Sequence, residues 1–143
     1  LWPSGTDRPS DGQAYSIKVY ETNKVFTAVN GTELALRDCQ GTPNQRFRCT
    51  LYEEHAGFVC EGADNGKGDY LAHADDDSLR VDGQVQRDNQ YVYAKPHTDG
   101  GFMLYMKTNG VLKPVMQTLP EKKLCLFQVA DPLRVSFKRL QNV

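Results

Sequence analysis

A chain of 143 residues, 39% hydrophobic and 24% charged, is sized for one domain and is too apolar for a disordered segment. Its 17 basic and 18 acidic residues leave a net charge of -1, which offers no field to draw in nucleic acid or an anionic membrane surface. No apolar run approaches the roughly 20 residues of a bilayer span, so neither nucleic-acid binding nor membrane insertion is expected.

Residues 1–13 carry no initiator Met and no hydrophobic stretch and read as an exposed tail, the processed end of a secreted chain. A chain freed of an expression tag would begin in the same way. Residues 14–143 form a single folded domain. Short segments that alternate apolar and polar residues follow one another, with Gly, Pro and Asp between them and no sustained period of 3.6 residues. The first unit predicts strands at 15–19, 24–29, 34–36 and 45–49. Asn30-Gly31, between its second and third strands, supplies positive φ for a tight turn, and with Thr32 it makes a glycosylation sequon at Asn30. The second unit predicts strands around 58–60, 69–73, 79–81 and 90–94. The third predicts 102–106, 111–116, 124–126 and 135–139, with Asn109-Gly110 as its turn.

Aligned in this way, Leu36, Val81 and Leu126 recur every 45 residues, and so do Phe47, Val92 and Phe137, 11 residues further on in each unit. Two apolar triplets with one period indicate a threefold repeat. A unit of four short strands cannot bury a hydrophobic face alone, so the three share one core. A closed barrel capped by hairpins achieves this with few unpaired edges. The expected fold is therefore all-β, a β-trefoil of three four-stranded repeats; a β-sandwich is the alternative.

The stretch Leu36-Arg37-Asp38-Cys39-Gln40-Gly41-Thr42-Pro43-Asn44-Gln45-Arg46-Phe47 resembles the repeat signature of ricin B-type lectins, in which Asp-Cys, a glycine turn, Asn-Gln and an aromatic residue follow at this spacing. The second unit retains Asn89-Gln90 but has Val92 at the aromatic position. The third has Arg134-Val135-Ser136-Phe137 and lacks Asn-Gln. Burial of the Phe47 type of position is worth about 1.5–3 kcal/mol, and the Gln beside it can satisfy backbone groups without any sugar.

The resemblance implies sugar pockets that pair an Asp near the second strand with a stacking ring and the Asn of Asn-Gln. Such groups bond vicinal hydroxyls while the ring covers the apolar side of the sugar. The first unit has Thr27 or Ala28 where that Asp would fall and Arg37 where an aromatic residue is often found, so its pocket reads as disabled. In the second unit the turn His73-Ala74-Asp75-Asp76-Asp77 supplies a carboxylate, with Asp75 and His73 the candidates. Asn89 supplies the amide, and Tyr91 or Tyr93 the ring. An acidic solvated turn beside ordinary strand residues is the competing explanation. The third unit has neither Asp nor Asn at the matching places.

His55, His73 and His97 lack a two-His ligand spacing, and the triple Asp lacks the Gly and distal Glu of a calcium loop. No metal or cofactor is expected. No nucleophile motif is present, so no catalytic residue is assigned and the chain reads as a binder, not an enzyme. Of the four cysteines, Cys49 and Cys60 fall on consecutive predicted strands, nearly opposite each other. They are the first candidate disulfide, with Cys39 and Cys125 as the remainder, though four cysteines allow three connectivities and buried free thiols are the alternative. The even cysteine count and the sequon fit a secreted, extracellular protein.

Three functions compete: a carbohydrate-binding lectin with degenerate sites whose partner is a glycan or glycoprotein; a protein-binding trefoil such as a protease inhibitor or secreted microbial effector; and a scaffold that has lost sugar binding. For the second, the glycine-rich loops 62–68 and 97–101 are the candidate contact segments, and their expected flexibility would cost ordering entropy on binding.

Overall fold

The computed structural model describes residues 8–30, 32–62, 69–83, 88–117, 124–126 and 132–141. Its first four strands are β1 (Ala14–Val19), β2 (Lys24–Val29), β3 (Glu33–Asp38) and β4 (Phe47–Leu51). The second unit supplies β5 (Ala56–Cys60), β6 (Asp69–His73), β7 (Leu79–Asp82) and β8 (Val92–Pro96). The third supplies β9 (Phe102–Thr108), β10 (Val111–Gln117), β11 (Leu124–Leu126) and β12 (Arg134–Arg139).

The outer strands of each unit close a ring. β1 pairs with β4, β4 with β5, β5 with β8, β8 with β9, β9 with β12, and β12 returns to β1, all antiparallel. The inner strands form the hairpins β2/β3, β6/β7 and β10/β11. These meet through the Glu33 and Arg80 pair between β3 and β7 and a bridge from Ser78 to Cys125 in β11. Six barrel strands capped by three hairpins make a β-trefoil, as the repeat implied. Asn30 and Asn109 take the positive φ of 51° that their turns require.

Both triplets face the core. Phe47, Val92, Val81 and Leu126 are buried, and Leu36 and Phe137 pack against them. The Phe137 ring lies parallel to that of Phe58, with centroids 5.5 Å apart. A third triplet, Leu34, Leu79 and Leu124, is also buried with the same 45-residue period.

Gln45 and Gln90 precede their strands instead of opening them. Each ends a short 3-10 turn, Pro43–Gln45 or Asp88–Gln90, because its buried side chain turns inward to bond β-hairpin backbone. Gln45 donates to the Asp38 carbonyl at 2.9 Å and accepts from the Gln40 N–H at 2.8 Å. Gln90 donates to the Asp82 carbonyl at 2.8 Å.

The expected exposed tail is docked from residue 8 onward. Gly12 N–H bonds the Cys49 carbonyl at 2.8 Å, Asp11 accepts from the Leu51 N–H at 2.8 Å, and buried Gln13 donates to the Leu140 carbonyl at 2.6 Å. These bonds satisfy backbone of β4 and of the residue just after β12. Residues 1–7 lie outside the described residues.

The expected bridge between Cys49 and Cys60 is not formed, and Cys39, Cys49, Cys60 and Cys125 are all free thiols. The register explains the first pair: Cys49 stands opposite Phe58 and Cys60 opposite Phe47. A diagonal neighbour of this kind is about 7–8 Å away, beyond the Cα separation a disulfide bridges without backbone movement. Cys60 instead places its Sγ 3.6 Å from the Asn44 carbonyl oxygen. Cys125 is paired with Met116.

Candidate functional site

A groove of about 1120 Å³ runs between the first and second units, walled by β3 on one side and the turn after β6 on the other. Its lining includes three of the residues singled out in the sequence: His73, Asp75 and Asn89.

The turn from 74 to 78 fixes where the three aspartates go. Asp77 takes a left-handed φ of 66° and pairs with Lys113 at 3.1 Å, while its carbonyl accepts from the Leu126 N–H at 2.8 Å. Asp76 accepts from the Ser78 hydroxyl at 2.6 Å and the Ser78 N–H at 3.0 Å, and these bonds hold its carboxyl below the usual carboxylate range. Two of the three carboxylates are thus used by the turn. Asp75 is exposed, lines the groove and makes no hydrogen bond or ion pair among the described residues.

His73 ends β6 as a buried side chain, with Nε2 2.7 Å from the Lys107 carbonyl oxygen and Nδ1 3.2 Å from that of Ala74. It is tied into the wall and leaves little for a ligand. Asn89 donates through Nδ2 to the His73 carbonyl at 3.3 Å, and its Oδ1 has no partner among the described residues. In the first unit, 45 residues earlier, Asn44 donates to the Ala28 carbonyl at 3.0 Å, but there the Thr42 hydroxyl occupies Oδ1. The same anchoring bond therefore recurs in both units, and among the described residues only the second leaves the amide oxygen without a partner.

Tyr91 is not in the groove. Its ring stacks on His55 at 4.0 Å, and His55 stacks on Tyr52 at 4.8 Å. Tyr93 also faces His55, with centroids 5.7 Å apart. Burial, reinforced by the Lys107 charge and opposed by Glu54 and Asp88, lowers the His55 pKa from its ordinary value. The triad of carboxylate, amide and ring that the resemblance implied is thus split: Asp75 and Asn89 share the groove, and the rings gather on the barrel wall.

Sequence reasoning did not bring Glu33, Arg37 and Arg80 together with Asp75 in one groove. Glu33 and Arg37 come from β3 and Arg80 from β7. Arg80 pairs with Asp82 at 2.7 Å, yet its buried Nε has no partner among the described residues. Alternation along a strand predicts that such residues face outward, but not that two units' outward faces oppose each other.

In the third unit Arg134 occupies the position of Asn44 and Asn89. It stacks on the Tyr20 ring at 4.1 Å, and its Nη1 lies 3.1 Å from His97 Nδ1. The Asp99 N–H donates to the same Nδ1 at 3.0 Å, and the His97 N–H donates to the Gly101 carbonyl at 3.0 Å. The loop 97–101, expected to be flexible, is braced at both ends. Residues 63–68 of the other candidate loop, and Gly31 of the sequon, lie outside the described residues; Asn30 itself is exposed.

Comparison with solved structures shows the fold. The chain is similar to part of a mosquitocidal holotoxin at 13% identity and a TM-score of 0.76, covering 93% of this chain and 18% of the toxin. It is similar to part of a GlcNAcα1-4Gal-releasing endo-β-galactosidase from Clostridium perfringens at 15% identity and 0.71, covering 90% and 33%. It is also similar to a Macrolepiota procera ricin B-like lectin in complex with lactose at 14% identity and 0.65, covering 92% and 96%. The chain thus spans about a fifth and a third of the first two, and nearly all of the lectin. No protein family and no curated protein sequence matches the chain.

Proposed function

We propose that the protein is a secreted, ricin B-like carbohydrate-binding β-trefoil with degenerate sites, in which the groove between the first two units is the working site. One observation carries this reading: Asp75 and Asn89 line the same groove, and neither the Asp75 carboxylate nor the Asn89 amide oxygen has a partner among the described residues. Two such acceptors suit the vicinal hydroxyls of a sugar. The Thr42 hydroxyl on Asn44 in the first unit and Arg134 in place of the Asn in the third support the reading of degenerate sites. The likeness to a lectin solved with lactose supports the glycan class.

Binding without catalysis rests on the missing nucleophile motif. Secretion rests on the sequon at Asn30, since the cysteines now offer no bridge in its favour. The test is a glycan array with the wild type, Asp75→Ala and Asn89→Ala, each checked for an unchanged melting temperature. Loss of a defined glycan signal in Asp75→Ala supports the site. A wild type that binds no glycan overturns the reading.

A second reading, a trefoil whose loop 97–101 engages a protein, is favoured by the bracing of that loop by Arg134 and Tyr20, which lowers the ordering cost of binding. A panel of proteases assayed with wild type and with Asp99→Ala would support it through inhibition that the substitution weakens.

A further inference from the structure

We propose that the outer face of the β8/β9 hairpin is a second binding surface, separate from the groove, which takes an acidic oligosaccharide such as a sulfated glycan. Four of the chain's seven tyrosines meet on this side of the barrel. Tyr93 stands directly opposite Tyr105 across the two strands. Tyr91 and Tyr52 extend the row through the His55 stack. Half-exposed aromatic rings on a sheet face are large apolar planes with a polar tip, which suit a ligand that is flat and hydroxylated.

The charges select the ligand's sign. Lys95 Nζ lies 5.0 Å from the Tyr105 ring centre, and Lys107 Nζ lies 5.3 Å from that of Tyr93. Both lysines are exposed, and neither has an ion-pair partner among the described residues. Lys95 is opposite Met103, four residues from Lys107 along β9. The backbones of the two lysines are therefore offset by about 13 Å along the strand, at about 3.3 Å per residue, and both ammonium groups lean over the tyrosine pair between them. Two cations over one aromatic pair suit an oligosaccharide that lays its rings on the tyrosines and presents anionic groups beside them. Glu54 and Asp88 act on His55 at the Tyr91 end, where Lys107 acts on it as well, so each end of the face carries a lysine.

A saccharide fits better than a peptide. β8 is bonded to β5 and β9, and β9 to β8, β10 and β12, so a peptide cannot extend the sheet here by strand addition. The hydroxyls of Tyr91, Tyr93 and Tyr105 have no partner among the described residues and can meet ligand hydroxyls.

The experiment is calorimetric titration at low salt with a sulfated glycosaminoglycan hexasaccharide, its desulfated counterpart, and an oligoglutamate and a single-stranded oligonucleotide of matched charge. The expected result is binding of the sulfated hexasaccharide alone. Lys95→Gln and Lys107→Gln should each weaken it about tenfold, in line with loss of one charge-assisted contact, with the melting temperature unchanged. Asp75→Ala, in the groove, should leave this binding intact, so the failure of either site is read separately. Absence of binding, indifference to both lysine substitutions, or equal binding of oligoglutamate or oligonucleotide would overturn the proposal.

Discussion

The buried side-chain amide of Gln90 donates to the carbonyl of Asp82 at 2.8 Å, as Gln45 does to Asp38 at 2.9 Å in the unit before. Each Gln fastens the short turn ahead of a barrel strand to the end of the preceding hairpin. Gln45 also accepts from the Gln40 N–H and donates to Thr27 Oγ1. Gln45→Ala leaves buried backbone groups unpaired, so a loss of about 2–3 kcal/mol is expected, read as a lower urea midpoint. A loss below about 0.5 kcal/mol would contradict this structural role.

Leu34, Leu79 and Leu124 occupy equivalent places in the cap and are all buried. Leu→Ala at each should cost about 2–5 kcal/mol. Thermal or chemical denaturation of the three single variants checks the threefold equivalence, and a near-neutral result at any one would break it.

Gly101 has φ of 71°, and a Cβ there would sit 2.7 Å from the Val135 carbonyl oxygen; Gly110 has φ of 79° with nothing within 4 Å. Gly101→Ala therefore suffers both backbone strain and a backbone clash, whereas Gly110→Ala suffers strain alone, about 1 kcal/mol. Paired melting curves should show the first clearly below the second.

Burial, with the nearby Asp11 charge second, pushes the Cys49 thiol up to about 12. An acid whose pKa rises on folding stabilises the fold below its unfolded value of 9.0 and loses that contribution as pH climbs toward 12. Native Cys49 should resist thiol reagents at pH 8 and react on unfolding. Alkylation without reductant should find four thiols; a mass two hydrogens lighter would reveal a bridge that the β4/β5 register does not accommodate.

His55 titrates below its ordinary value chiefly because it is shielded from water, with the Tyr91 ring 4.0 Å away. Its contribution to stability is present above the unfolded value of 6.5 and fades as pH falls through and below it. Tyr91→Ala should move the His55 midpoint upward in an NMR titration; an unchanged midpoint would mean that the ring does not desolvate it.

The fold was legible because burial repeats with the chain. Leu36, Val81 and Leu126 occupy one place in three successive units, so a period in sequence becomes a symmetry in space. Strands such as Lys24–Val29 and Asp69–His73 stand where alternation put them. The resemblance to the lectin repeat marked Asp75 and Asn89, since a turn and the Asn before a Gln are features of neighbouring residues that a motif can carry. Other properties depend on which segments barrel closure brings together. A shift of two residues in the β4/β5 register separates Cys49 from Cys60. Packing of the turn before β5 against the start of β8 turns Tyr91 toward His55 and away from Asn89. The facing of β3 and the turn after β6 places Arg37 and Arg80 in one groove with Asp75. Contacts between residues tens of positions apart follow from register and closure, which no local pattern of apolar and polar residues encodes.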